Sequence, residues 1–210
     1  MENIPSWSCE RFADELNSKA PVPGGGSVAA LVGSLGAALA GMVGALTTGK
    51  KKYAQYETDI QRILGEAKAL QDELMAQIDR DASNFLPLSK CYGLPANTEE
   101  EKAVKEEKMQ AALKVAITAP IDIVKISYKA LKLQEELAEK GSKLAVSDVG
   151  CGALCLKSAM QMAWLNVIIN LKYIHDDAYV ESVRSELVPM MQEGEALADR
   201  IYADVESQLQ

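Results

Sequence analysis

One carboxylate of this sequence lies where a helical pattern predicts an apolar side chain. The inward stripe of a long predicted helix consists of residues at helical spacing, namely Leu74, Ile78, Ala82 and Phe85. Asp81 falls at the centre of this stripe, whereas Asp79 falls well off it. A carboxylate on a buried face is costly unless it is paired, hydrogen-bonded or protonated, and such groups often serve as acids or bases. The pattern fits equally well an Asp that is bonded to a neighbouring helix or exposed on a wider stripe.

A second helix, predicted over residues 147–173, carries polar side chains on a largely apolar face. Asn166 and Asn170 lie one turn apart there, and Asp148 shares their face. Two Asn side chains can bind the donors and acceptors along the edge of a flat heterocycle, but the residues alone favour an interhelical hydrogen bond. Asp148 and Asn166 are about 27 Å apart along an unbroken helix. A small site that uses both therefore needs a symmetric partner chain or an extended ligand.

Two segments have residue types suited to anions. A glycine-rich segment stands at a predicted helix start and consists of Gly24, Gly25, Gly26 and Ser27. Free backbone N–H groups at such a position can bind an anion, although the Walker spacing is absent. A lysine run, Lys50 to Lys52, follows the same helix. It can meet the carboxylates of a ligand, or it is simply a solvated face beside a helix C-terminus.

The cysteines and the histidine predict neither a metal centre nor a disulfide framework. Cys151 and Cys155 are four residues apart on a helix, like some metal ligands, but His175 is the only histidine and the rest of a zinc set is missing. A Ser-His-Asp nucleophile turn is not recognisable either. Charged residues interrupt the start of the chain before any apolar run, so we expect no signal peptide and a reducing, cytoplasmic location.

The composition favours close-packed helices as the frame for these groups. The 210 residues are 48% apolar but only 5% aromatic, and Ala, Leu, Met, Glu and Lys are abundant, which favours helices over a β-sandwich. We predict an all-α fold, a single-domain bundle over residues 1–210 with six to eight long, partly kinked helices. The net charge of −8 argues against a nucleic-acid partner.

The uncharged segment 24–49 is predicted to be a buried Gly/Ala-rich helix. It follows an amphipathic helix over 7–19 and an extended, proline-containing link at 20–23. Ser27 is its predicted N-cap, and it runs to about Thr48. Gly and Ala recur along it at a spacing of four, so another backbone can approach closely. The segment is long enough to cross a bilayer, but its small residues favour a packed core helix, and we predict no membrane span.

Caps and prolines mark the later helices. Apolar residues at helical spacing predict helices over 53–89 and 177–208. Thr98 and Ser147 are predicted N-caps of the two helices between them. Pro120 is predicted to kink or split its helix near the middle, and Pro189 to kink the last helix.

Five stretches resemble the formiminotetrahydrofolate cyclodeaminase / methenyltetrahydrofolate cyclohydrolase family, in family order and across nearly the whole chain. The most specific are APVPGGGSVAALVGSLGAALAGMVGALTTGKKKY at 20–53 and LNVIINL at 165–171. The shorter matches are IDRDA at 78–82, GLPANTEEEK at 93–102, and the pair Ser147 and Asp148. The resemblance implies an all-helical fold, a homodimer or higher assembly, and a tetrahydrofolate derivative as substrate, with no tightly bound cofactor and no metal.

The resemblance also implies roles for the polar residues. Asp81 is the expected catalytic acid/base, and Asp148 is the second candidate. The expected substrate-binding residues have three roles. Asn166 and Asn170 orient the pterin, and Lys50 and Lys51 meet the glutamate tail. The backbone approaches the ligand at Gly24, Gly25, Gly26 and Ser27.

Three functions agree with this resemblance. The first is hydrolysis of methenyltetrahydrofolate to 10-formyltetrahydrofolate, which we favour because the printed chain begins directly with the helical pattern and shows no formimino-transfer domain upstream. The second is cyclodeamination of formiminotetrahydrofolate with release of ammonia. The third is a non-catalytic folate-binding or structural helical assembly.

Overall fold

The computed structural model describes residues 3–210, and this part of the chain is helical without a β-strand. The α-helices are α1 (Cys9–Leu16), α2 (Gly25–Ala45), α3 (Glu57–Tyr92), α4 (Glu99–Ala116), α5 (Thr118–Lys140), α6 (Val146–Leu171) and α7 (Asp177–Leu209). Short 3₁₀ helices lie at Ile4–Ser6, Lys51–Tyr56 and Lys143–Ala145. The predicted all-α bundle is confirmed.

Helix α2 lies in the core and packs on α3, α5 and α6. Its glycines permit this close approach. A methyl group in place of the Gly36 hydrogen would lie 2.6 Å from the side chain of Leu156 and 3.1 Å from the carbonyl oxygen of Gly152, both on α6. The predicted buried Gly/Ala-rich helix is therefore confirmed, and tight packing offsets the cost of about 1 kcal/mol that each helical glycine carries against alanine.

Helices α2 and α6 lie side by side and run in opposite directions. Gly25, at the start of α2, faces Asn166 near the end of α6. At the other end, the Ser142 N–H donates to Thr47 Oγ1 at 2.8 Å, just before α6 begins. This pair of helices consequently has two ends, about 30 Å apart for a helix of 21 residues.

Two predicted N-caps are wrong. The first turn of α2 begins at Gly25 with Gly24 as N-cap, because the Val28 N–H bonds to the Gly24 carbonyl, and Ser27 lies inside the helix. Helix α6 begins at Val146, one residue before Ser147, because a 3₁₀ turn leads into it. Thr98 does cap α4, in a capping box with Glu101.

Proline has different effects at its three positions in α-helices. The chain divides between α4 and α5 at Ile117, so the predicted split near Pro120 is confirmed. Pro120 itself lies in the first turn of α5, where its missing N–H costs nothing. Pro87 and Pro189 lie inside α3 and α7, which continue across them.

Within residues 3–210, two helical segments are long and apolar enough to cross a membrane, Gly25–Ala45 and Lys143–Leu171. Half of the apolar stretch in the first and 39% of that in the second are buried within the bundle. The core helix of a soluble protein meets the same criterion, so these segments are weak evidence for a membrane span.

Candidate functional site

Asp81 of α3 is buried, with 9% of its surface exposed, and is held by the first turn of α2. The Ser27 hydroxyl donates to Asp81 Oδ2 at 2.9 Å, although the two residues are 54 positions apart. Burial raises the pKa of Asp81 above its ordinary value, and hydrogen bonds from the side chain and backbone of Ser27 oppose this rise. Its neighbour Arg80 points elsewhere and pairs with Asp122.

The glycines before Ser27 leave room for two polar side chains. A methyl group at Gly26 would lie 2.1 Å from Asp81 Oδ1, so the carboxyl group occupies the space that any side chain there needs. A methyl group at Gly25 would lie 3.2 Å from Asn166 Nδ2. Gly24 has open space around it. Glycine at positions 25 and 26 therefore lets the start of α2 approach both α3 and α6.

The two asparagines of α6 do not use their amide nitrogens to bridge helices. Asn166 Nδ2 donates to the Met162 carbonyl at 2.9 Å, and Asn170 Nδ2 donates to the Asn166 carbonyl at 2.7 Å, each one turn back in α6. Both side chains are half-buried. The sequence pattern favoured an interhelical hydrogen bond, but both amide nitrogens donate to carbonyls within α6.

A cavity of about 120 Å³ brings Asp81, Asn166 and Asn170 together. Its lining comes from α3, α6 and the junction of α4 and α5, and also includes Phe85, Leu88, Tyr92, Ala116, Pro120, Ile169 and Tyr173. A larger cavity of about 500 Å³ lies between α3 and α4, but apart from Lys90 and Lys108 its lining offers little polar chemistry. We therefore take the smaller cavity, with its buried acid, as the candidate site.

Sequence reasoning did not assign two aromatic side chains of this cavity. Tyr173 follows Asn166 and Asn170 at i+7 and i+3, so helical spacing was a usable signal. Tyr92 ends α3, eleven residues after Asp81, and lies beyond the helix predicted over 53–89. Nothing in the sequence around Tyr92 indicates that the end of α3 meets the end of α6.

Three predicted site residues lie at the other end of α2 and α6. Lys50 follows α2, and its Nζ is 3.4 Å from Ser142 Oγ. Lys51 is exposed, and Asp148 is half-buried in the first turn of α6. Within one chain, these residues are a helix length of about 30 Å from the cavity. Their predicted roles remain predictions.

The described cysteines form no disulfide, and among residues 3–210 no group of three or more His, Cys, Asp or Glu side chains is arranged to hold a metal ion. Burial, followed by the neighbouring Cys151, raises the pKa of the Cys155 thiol. A raised thiol pKa disfavours the thiolate that metals bind.

Several known proteins that are similar to this chain belong to one family. A family model described as formiminotransferase-cyclodeaminase matches residues 8–188. A methenyltetrahydrofolate cyclohydrolase from Methylorubrum extorquens is 40% identical over 200 residues, which cover 95% of this chain and 96% of the relative. A rat formimidoyltransferase-cyclodeaminase is 31% identical over 206 residues, but the match covers only 38% of that longer protein.

A solved structure shares the fold. The crystal structure of formiminotetrahydrofolate cyclodeaminase from Thermotoga maritima superposes with a TM-score of 0.80 at 30% identity, covering 98% of this chain and 97% of that one. The similarity extends along the whole bundle, including the helices that form the cavity.

Proposed function

This chain belongs to the formiminotransferase-cyclodeaminase family, and we propose that it is a methenyltetrahydrofolate cyclohydrolase of one-carbon metabolism. The similarity to the Methylorubrum cyclohydrolase over 96% of that protein's length supports this choice. We also propose that residues 1–210 form a single domain. The observation that carries the proposal is the buried Asp81 facing a cavity with two amide side chains.

The proposed reaction adds water to a carbon that bridges two nitrogens. 5,10-Methenyltetrahydrofolate carries a positive charge delocalised over N5, N10 and this carbon. The water oxygen bonds to the carbon while Asp81 takes a proton from the water, and the ionised carboxylate stabilises the cation beforehand. In the tetrahedral intermediate the C–N5 bond then breaks, and N5 receives the proton from Asp81. The hydroxyl proton leaves to solvent as the C=O bond of 10-formyltetrahydrofolate forms.

The environment of Asp81 suits this double role. A base works best when its pKa lies near the operating pH, and burial moves the pKa of Asp81 in that direction. Ser27 keeps the ionised form available by donating to it. Asn166 and Asn170 are proposed to orient the pterin, and the backbone at the half-buried Gly24 and the exposed Gly25 to approach the ligand.

The second candidate is formiminotetrahydrofolate cyclodeaminase, the name carried by the Thermotoga relative of 30% identity. In that reaction N10 attacks the formimino carbon, and ammonia leaves after protonation. Both reactions pass through a tetrahedral carbon between nitrogens, so one buried carboxyl group can serve either.

Two assays of the purified chain separate these functions. Loss of methenyltetrahydrofolate absorbance above the spontaneous rate is expected, with saturation by substrate. Ammonia release from formiminotetrahydrofolate, without accelerated loss of the methenyl compound, would instead support the cyclodeaminase. Tight folate binding without turnover of either compound would support the third candidate, a non-catalytic folate-binding or structural assembly.

A homodimer is proposed because α2 and α6 present an apolar outer surface. Six large apolar side chains on it are 42–61% exposed: Leu35 and Met42 of α2, Leu46 directly after α2, and Leu154, Leu165 and Ile169 of α6. Large exposed apolar patches mark interaction surfaces in soluble proteins. We name this surface the α2–α6 face. A second copy is the occupant we propose for it, since an isologous dimer buries the same face of both chains.

Such a dimer joins the two ends of the α2–α6 face. In the dimer we propose, the two-fold axis lies in this face, perpendicular to both helices, so that the Lys50 and Asp148 end of one chain lies beside the Asp81 cavity of the other. Asp148 then supplies a second carboxylate to the site. Lys50 and Lys51 supply cations for the glutamate tail of the folate.

The composition of the chain also supports proposals about its cellular location, partners and cofactors. Free cysteines agree with a reducing cytoplasm. The net charge of −8 makes a nucleic-acid partner unfavourable. We propose that the chain works with folate alone, with neither a tightly bound cofactor nor a metal, and without a membrane.

A further inference from the structure

We infer that Tyr92 and Tyr173 form an aromatic mouth that binds the substrate's ring system, and that helix α4 holds this mouth in place. The inference rests on the proposed function, because it assigns the flat ring of a folate to the Asp81 cavity. It adds two substrate-binding residues and two positioning residues to that site.

The two tyrosines lie where the helices that build the cavity end. Tyr92 is the last residue of α3, and Tyr173 follows the end of α6. Both line the cavity that contains Asp81, yet they are 58% and 51% exposed. An aromatic ring that is partly in water and partly in a cavity offers a face on which a flat heterocycle can stack. Removal of such a ring weakens binding about tenfold or more.

Helix α4 holds the end of α3 through a lysine. Lys105 Nζ donates to the Tyr92 carbonyl at 3.1 Å and to the Leu94 carbonyl at 3.0 Å. These are carbonyls at a helix C-terminus, which lack partners inside the helix. Lys105 thereby fixes the backbone that carries Tyr92.

The same helix holds the end of α6 through a glutamine. Gln110 Nε2 donates to the Tyr173 carbonyl at 2.8 Å, and Gln110 Oε1 accepts from the His175 N–H at 2.9 Å. The chain beyond is also held, since Lys114 Nζ lies 2.6 Å from Asp176 Oδ2. Because α4 gives only Ala116 to the cavity lining, Gln110 and Lys105 act on the mouth through the backbone of the two tyrosines.

The test compares KM and kcat for methenyltetrahydrofolate in five single variants. Tyr92→Leu and Tyr173→Leu keep apolar volume but remove the aromatic face, whereas Tyr173→Phe keeps the face. Gln110→Met removes the hydrogen bonds that Gln110 makes to the Tyr173 carbonyl and the His175 N–H. Gln161→Met is the matched control, because Gln161 also joins two helices, donating to Glu195 Oε1 at 3.1 Å, but lies outside the cavity.

We expect both Leu variants to raise KM by about tenfold with a much smaller change in kcat. The Phe variant and the Gln161 control should keep the wild-type KM. Gln110→Met should raise KM several-fold, and the double variant Gln110→Met/Tyr173→Leu should be no worse than Tyr173→Leu, since Gln110 acts through Tyr173.

The inference is overturned if wild-type protein turns over the substrate but both Leu variants keep its KM. It is also overturned if the effects of Gln110→Met and Tyr173→Leu simply add. Absence of turnover in the wild-type protein is a different result, which refutes the proposed function. Thermal unfolding of each variant, measured beside the kinetics, ensures that only folded protein is compared.

Discussion

The carboxyl group of Asp81 fills the space beside Gly26 that a side chain would need, and a methyl group there would come within 2.1 Å of its Oδ1. This relationship joins two helices that are far apart in sequence. It explains why the start of α2 is glycine at a position that is buried and helical, where alanine is otherwise preferred. The position of the Asp81 carboxyl group therefore depends on glycine at position 26.

Gly26→Ala should damage both stability and activity. The added methyl group must displace the carboxyl or the helix, and overpacking of this kind costs about 1–3 kcal/mol. We expect activity to fall at least about tenfold, because Asp81 moves from its place. Chemical denaturation and turnover of methenyltetrahydrofolate measure the two effects.

Gly65→Ala is the matched control for this change. Gly65 also lies inside a helix, but a methyl group there meets nothing within 4 Å. It should leave activity unchanged and stabilise the protein by up to about 1 kcal/mol. The double variant Gly26→Ala/Asp81→Ala should lose less stability than the sum of its single changes, because the clash disappears. Strict additivity would contradict the contact.

Ser27→Ala should shift the pH dependence of the reaction. The Ser27 hydroxyl donates to the carboxylate and opposes the rise in the pKa of Asp81 that burial causes. Without it the pKa of Asp81 rises further, so the ionised base forms only at higher pH. The acidic limb of a kcat/KM profile should therefore move to higher pH. Ser34→Ala, which removes a hydroxyl of the same helix bonded only to its own turn, should leave the limb in place.

Helical spacing predicts which polar residues face inward, but it does not predict that these residues come together in one site. Asp81 stood out because it interrupts an apolar stripe, and Asn166 with Asn170 stood out for the same reason. The local sequence predicts Ser27 as an N-cap, and this is wrong because its hydroxyl bonds to a residue 54 positions away, which local sequence cannot indicate. Its side chain therefore contributes to tertiary structure and does not cap α2.

The aromatic mouth shows a second limit of sequence reasoning. Gln110 and Lys105 look like solvated residues of a charged helix, and only the docking of α4 against two helix ends gives them partners. Similarly, Lys50 and Asp148 match the family's motifs, but one chain keeps them a helix length from the cavity. Spacing along a helix predicts which face a residue occupies, and cannot predict what another helix or another chain brings to it.

Asp81→Asn should make the folded protein more stable at neutral pH than the wild type. Burial raises the pKa of Asp81 in the folded state above the ordinary value of 3.8. The folded wild-type protein therefore binds this proton more tightly than the unfolded chain, and its stability falls as pH rises from about 3.8 through the folded-state pKa. Asparagine has no such titration. The difference in unfolding free energy should be small near pH 4 and larger at pH 7, and a constant difference would contradict the burial effect.

A mixture of two inactive variants tests whether the site is shared between chains. Asp81→Asn and Asp148→Asn should each lower kcat by about 10²–10⁴-fold if both carboxylates act in the reaction. Asp79→Asn is the control, since Asp79 Oδ1 lies outside the cavity and accepts from the Ile4 N–H at 3.0 Å. It should retain activity.

If Asp81 of one chain works with Asp148 of the other, a heterodimer of the two variants has one site that is doubly altered and one that is intact. Unfolding and refolding an equal mixture gives half heterodimers, so about one quarter of wild-type activity should return. If each site is instead formed by one chain, every site in the mixture carries one of the two substitutions, and no activity returns. Leu165→Arg, placed on the α2–α6 face, should abolish the recovery by separating the chains, which sedimentation measures directly. Activity in a monomeric Leu165→Arg protein equal to that of the wild type would instead show that each chain works alone.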